Sequence, residues 1–139
     1  MSRFVLDASV GLAWFLDDPV PDLATKVRQS LRHGSRALVP ALWVLEMANG
    51  LVTVERRGSL ATSFIDRCLS DIEGLLSSVI DHSASAISVR QAFSVANASR
   101  LTAYDATYLE LARTEHLPLA TLDRALVEAA KKAGIPLFP

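Results

Sequence analysis

Four acidic residues stand inside runs that are otherwise apolar, and any fold open to this chain must find a place for them. Asp7 closes the run Arg3-Phe4-Val5-Leu6-Asp7, and Glu46 interrupts Ala41-Leu42-Trp43-Val44-Leu45-Glu46-Met47-Ala48. Asp105 opens Tyr104-Asp105-Ala106-Thr107-Tyr108-Leu109-Glu110-Leu111-Ala112, and Asp123 follows Leu117-Pro118-Leu119-Ala120-Thr121-Leu122. A charge flanked by core-type residues must be paired, neutralised or bound to a cation, because taking it out of water is costly. No Lys or Arg precedes Glu46 within helical reach, and His is scarce. The pattern points to a shared cation.

Short apolar runs bounded by turn residues alternate with stretches of helical periodicity. Strands are predicted over 3–7, 37–39, 78–81 and 117–122, with a short last one over 135–138. Helices are predicted over 8–16, ended by Asp17-Asp18-Pro19, and over 22–33, closed by Gly34. A third runs over 41–57 behind Pro40 and stops at Gly58; a fourth over 59–76 has Ser59 as N-cap and Gly74 weakening its end. Three more cover 83–99, 103–115 behind the cap Thr102, and 123–133 up to Gly134. This alternation predicts an α/β fold in three layers, a central parallel sheet with helices on both faces. The length predicts one domain over residues 1–139. In open α/β sheets, sites form beyond the carboxyl ends of the strands. Asp7 and Asp123 fall there, whereas Glu46 and Asp105 must reach that edge from helices.

Composition narrows the function. The formal charge is −1, so the chain is not a globally basic nucleic-acid binder, and contact with RNA or DNA would rest on local Arg and Lys or on metal. Half of the residues are hydrophobic, enough for a core and a surplus for a partner surface. The single Cys68 excludes an intramolecular disulfide and suits a reducing cytoplasm, with core filling as its expected role. Met1-Ser2-Arg3 leads directly into a strand, so no signal peptide is expected, and no apolar run reaches the length of a membrane span.

Taken singly, three of the acids have structural readings. Asp7 can cap the helix that starts near Ala8, Asp123 can cap the one after it, and Asp105 stands three residues after Thr102 in a capping-box-like pattern. Glu46 resists this reading, because it lies past the first turn of its helix among apolar neighbours. Jointly the acids say more. Carboxylates about 5 Å apart repel by roughly 3 kcal/mol per pair at an effective dielectric near 20. Hard oxygen donors without thiolate or paired His favour Mg²⁺ or Mn²⁺ over Zn²⁺. Such ions activate water and clamp the oxygens of a phosphodiester. Ser9 and Thr121 each stand two residues from one of the acids, and Asn49 shares the face of Glu46 one turn on.

Other chemistries lack their residues. His33, His82 and His116 are scattered, which argues against a two-histidine ribonuclease attacking through the 2′-hydroxyl. The six glycines never cluster into a phosphate loop, and no Gly-x-Ser-x-Gly elbow exists. Asp7-Ala8-Ser9 lacks the second acid of an aspartate-based phosphatase.

Four segments in order resemble the PIN-domain ribonucleases, and most of all the VapC toxins of bacterial toxin–antitoxin pairs. They are Val5-Leu6-Asp7-Ala8-Ser9-Val10, Leu45-Glu46-Met47-Ala48-Asn49-Gly50-Leu51, Tyr104-Asp105-Ala106-Thr107-Tyr108-Leu109-Glu110-Leu111-Ala112 and Ala120-Thr121-Leu122-Asp123-Arg124. The resemblance implies a Mg²⁺- or Mn²⁺-dependent endoribonuclease, a homodimer, and inhibition by a cognate antitoxin whose tail blocks the groove. It assigns Asp7, Glu46, Asp105 and Asp123 to the acidic, metal-holding site. It sets Asn49 and Thr121 at polar positions beside that site. Residues 59–99 carry no motif of the family. Among the basic residues, Arg124 beside Asp123 has the best claim on an RNA phosphate, ahead of Arg56, Arg57, Arg100, Lys131 and Lys132. Trp14 and Trp43 are expected in core or dimer packing rather than under a base. Two other readings stay open: a PIN-type nuclease of RNA processing, and a catalytically silent interaction module of the same fold.

Overall fold

The structure is a computed structural model and describes residues 2–139. In chain order the elements are β1 (Arg3–Leu6), α1 (Ala8–Leu16), α2 (Asp22–Arg32), β2 (Arg36–Leu38), α3 (Leu42–Arg57), α4 (Thr62–Leu76), β3 (Ile80–Asp81), α5 (Val89–Ser99), α6 (Ala103–Glu115), β4 (Leu119–Ala120) and α7 (Arg124–Lys132). The four strands form one sheet in the order β3-β2-β1-β4, every pairing parallel. The α/β architecture is thus the expected one. β1 is central, pairing Phe4 with Ala37 and Leu6 with Ala120. Phe4, Val5 and Leu6 are all buried, although successive side chains point to opposite faces, so both faces of β1 are covered.

Glycine sets the approach of α1 to α3. A Cβ on Gly11 would lie 2.9 Å from the Met47 sulfur, and one on Gly50 would lie 2.5 Å from the Leu12 side chain. The missing side chains let the two helices close up, which carries Glu46 of α3 toward Asp7 at the start of α1. Trp43 is fully buried beneath this contact, its indole N–H without a partner among the described residues. Trp14 is half-buried and donates to the Ala24 carbonyl at 2.8 Å. Cys68 is buried in the core, as expected.

Several boundaries differ from the sequence reading. The helix expected over 83–99 begins only at Val89, with Ser88 accepting from the Gln91 amide. Before it, the Ser83 amide donates to Oδ1 of Asp81 at 2.9 Å, a local turn that competes with helix in this Ser-rich stretch. The helix expected from Ser59 begins at Thr62, and Gly74 lies inside it, the hydroxyls of Ser77 and Ser78 both donating to its carbonyl. Ser78 and Val79 belong to the turn that closes α4, their amides bonding to the Leu75 carbonyl, so β3 is only Ile80–Asp81. β4 is likewise shorter than expected, because Leu117 donates back to Ala112 and Leu122 donates to a side chain. The last strand reduces to a single parallel bridge from Leu119 to Leu137.

Candidate active site

The four acids line one cleft at the carboxyl edge of the sheet. Asp7 follows β1 and Asp123 stands at the N-terminus of α7 just beyond β4, while Glu46 comes from α3 and Asp105 from the first turn of α6. The cleft holds about 270 Å³ and is lined by Asp7, Ser9, Glu46, Asn49, Asp105 and Asp123, together with Ala8, Leu12 and Gly50. No Lys or Arg is among its lining residues. Arg124 is exposed and does not line it.

Hydrogen bonds separate the capping readings. Asp123 does cap α7, its Oδ1 accepting from the Leu126 amide at 3.1 Å. Asp105 is itself capped, its amide donating to the Thr102 hydroxyl at 3.1 Å. Asp7 has the backbone of an N-cap but makes no capping bond with its side chain. Instead its Oδ2 accepts from Ser9 at 2.6 Å and from Thr121 at 2.7 Å. Thr121 is buried behind Asp7 rather than lining the cleft.

Tyr108 is the functional neighbour that sequence reasoning missed. It is fully buried, and its hydroxyl donates to Oε1 of Glu46 at 2.5 Å. In sequence it sits in a run of Leu and Ala and reads as core; the available signal was that a buried phenol needs a hydrogen-bond partner. Glu110, in the same run, is also buried, but its partners are Arg113 and Gln91. It ties α5 to α6 and takes no part in the cleft.

The electrostatics of the cleft are those of anions held without counter-charge. Burial pushes the Asp7 carboxyl up; the Ser9 and Thr121 bonds oppose this and Asp123 adds to it. Burial also raises Glu46, against the Tyr108 bond and together with Asp7 and Asp105. Asp105 is raised by burial and then by Asp123 and Asp7. The carboxylates do not close into a finished cage: among the described residues no three His, Cys, Asp or Glu side chains are arranged to hold a metal ion. The donor set nevertheless fits a hard divalent cation, being all oxygen and all anionic around one space.

The comparisons agree with this fold. No curated protein sequence matches the chain. Among solved structures, the crystal structure of PAE2754 from Pyrobaculum aerophilum matches with a TM-score of 0.69 and 25% identity, over 92% of this chain and 84% of that one. No helix among the described residues is long and apolar enough to cross a membrane. The family model of the PIN domain matches residues 4–132, so the chain belongs to the PIN-domain family, whose members are generally nucleases using divalent metal ions.

Proposed function

We propose that the chain is a metal-dependent endoribonuclease that hydrolyses RNA phosphodiester bonds in the cytoplasm, as the toxin of a toxin–antitoxin pair. The observation that carries the catalytic part is the convergence of Asp7, Glu46, Asp105 and Asp123 on one cleft whose lining contains no cationic side chain. In this reading the four carboxylates hold Mg²⁺ or Mn²⁺. When bound, the ion supplies Lewis-acid polarisation of a phosphodiester and activation of water. Ser9, at the cleft, and Thr121, buried behind it, fix the Asp7 carboxylate. Asn49, exposed at the cleft one turn from Glu46, is placed to touch substrate. Arg124, exposed beside Asp123, offers positive charge to a backbone phosphate.

The toxin assignment rests on the resemblance of the four motif segments. A homodimer and an antitoxin both need apolar surface, and Leu45 on α3 with Val89 and Phe93 on α5 provide it at 68, 89 and 70% exposure. The test is cleavage of RNA against DNA oligonucleotides with Mg²⁺ or Mn²⁺, with chelator, and with Asp7→Asn. RNA cleavage that needs both the ion and Asp7 supports the nuclease. An Asp7→Asn variant as active as wild type refutes it, and a silent interaction module would cut nothing under any condition. The toxin reading further expects a short neighbouring reading frame whose product blocks cleavage.

A further inference from the structure

The carboxylates of the cleft are not equally free. Asp7 has Oδ2 engaged by Ser9 and Thr121, and Asp123 has Oδ1 engaged by the Leu126 amide. Glu46 has Oε1 engaged by Tyr108. In all three, the other oxygen has no side-chain donor among the described residues.

The bond at Glu46 differs from the other two. Asp7 and Asp123 have short side chains held at element ends, whereas Glu46 is a long, half-buried side chain in mid-helix with rotamer freedom to lose. Its one side-chain partner is a fully buried phenol packed in the core. Tyr108 also stands one turn after Asp105 on α6. One helix therefore contributes an acid to the cleft and aims the acid of another.

We propose that Tyr108 is a positioning and ion-selecting residue: by holding Oε1 of Glu46 it disfavours donation through both oxygens of that carboxylate, which favours Mg²⁺ and Mn²⁺ over Ca²⁺. Ca²⁺ takes about six to eight oxygens and commonly uses both oxygens of a carboxylate. Mg²⁺ demands near-octahedral geometry and keeps several waters, so it takes one or two carboxylates directly and meets the others through those waters. A Glu46 with one oxygen tied to the protein suits the second ion. The inference rests on the reading of the cleft as a divalent-ion site.

The test is titration calorimetry of the full chain with Mn²⁺, Mg²⁺ and Ca²⁺, on wild type, Tyr108→Phe, Glu46→Gln and the double variant. Tyr108→Phe is expected to weaken Mn²⁺ binding by about tenfold, the scale for loss of a group that orients a ligand. It should weaken Ca²⁺ binding less, so that the preference between the ions shrinks. In the Glu46→Gln background the same substitution should add nothing. If Tyr108→Phe keeps wild-type affinities and preference while Glu46→Gln loses binding, the role of Tyr108 is overturned and the metal cleft stands. If both ions weaken by the same factor in both backgrounds, Tyr108 is merely structural. A wild type that binds no divalent ion overturns the cleft reading as well.

A second measurement needs no variant at position 108. The chain has two tyrosines, so 3-fluorotyrosine labelling yields two fluorine signals, assigned with Tyr104→Phe. The Tyr108 signal should move on Mg²⁺ saturation and move differently with Ca²⁺. A signal indifferent to both ions overturns the proposal.

Discussion

Thr121 and Asp7 stand 114 residues apart in the chain, and the threonine hydroxyl donates to Oδ2 of the aspartate at 2.7 Å. The same hydroxyl oxygen accepts from the Asp123 amide at 3.0 Å. Ser9 repeats the arrangement, donating to that Oδ2 and accepting from the Leu122 amide at 3.0 Å. Two hydroxyls thus relay backbone N–H groups of the β4–α7 turn onto the acid after β1. Thr121→Val removes a donor to a buried charged group without changing its shape. The variant should lose about 1.5–3 kcal/mol at neutral pH, the range for hydrogen bonds to charged groups, and Thr121→Ser should recover most of it. Chemical denaturation measures both; a valine variant as stable as wild type would show that the relay supports nothing.

Stability should depend on pH in two opposed ways. Asp7, Glu46 and Asp105 are all raised, burial first. At low pH they are protonated in both states and carry no penalty. As pH rises past the unfolded values near 4, the unfolded chain ionises first and the fold is increasingly disfavoured until its own groups ionise. The ion-free protein should therefore lose stability from this cleft between mildly acidic and neutral pH, and Mn²⁺ should restore it by binding the folded state. Glu110 runs the other way. The Arg113 bond, then the Gln91 bond, holds it below its ordinary value, so its contribution is full above the unfolded pKa and is lost as pH falls through the folded one. Thermal melts across pH with chelator and with Mn²⁺ separate the two; no Mn²⁺ effect near neutrality would count against the cleft as an ion site.

Glu46→Gln should raise the melting temperature of the ion-free protein at pH 7, since it removes a half-buried charge while an amide oxygen can still accept from Tyr108. It should also cut RNA cleavage by about 100-fold or more, the scale on which one well-placed electrostatic group contributes to catalysis. Stability and function trade against each other at such positions. A variant that melts below wild type in chelator would make Glu46 a structural partner instead.

The acids and their order were legible in the sequence because each breaks an apolar run. Their partners were less so. The two-residue spacing of Ser9 and Thr121 from an acid suggested hydroxyls near the site, but that both serve one oxygen of Asp7 depends on the β1–β4 pairing. Tyr108 meets Glu46 across 62 residues and carries no local signal of that contact. Strand lengths were over-read at β3 and β4, where apolar residues are spent on turns packed against the core rather than on the ladder. The 83–88 stretch was over-read as helix because its alternating Ser and Ala say little about period.

None of the described residues of α5 is buried; Val95 packs against the core, and one side-chain hydrogen bond to α6 runs from Gln91 to Oε1 of Glu110 at 2.7 Å. Gln91→Ala should leave the global melt nearly unchanged, within about 1 kcal/mol for one hydrogen bond. The amides of α5 should exchange with solvent faster than those of α3 or α6. Hydrogen exchange resolves this; unchanged protection in α5 would mean that another contact, such as association with a second copy, holds it in place.

The central claim is that Asp7, Glu46, Asp105 and Asp123 support hydrolysis of RNA through a bound divalent ion. The most direct measurement is the chemistry of the ends left on cleaved RNA, read by mass spectrometry with Mn²⁺ and with chelator. The cleft contains no histidine to drive attack by the 2′-hydroxyl, so the fragments should carry an open phosphate monoester, with no cleavage in chelator. Fragments ending in a 2′,3′-cyclic phosphate, formed equally well in chelator, would contradict the account.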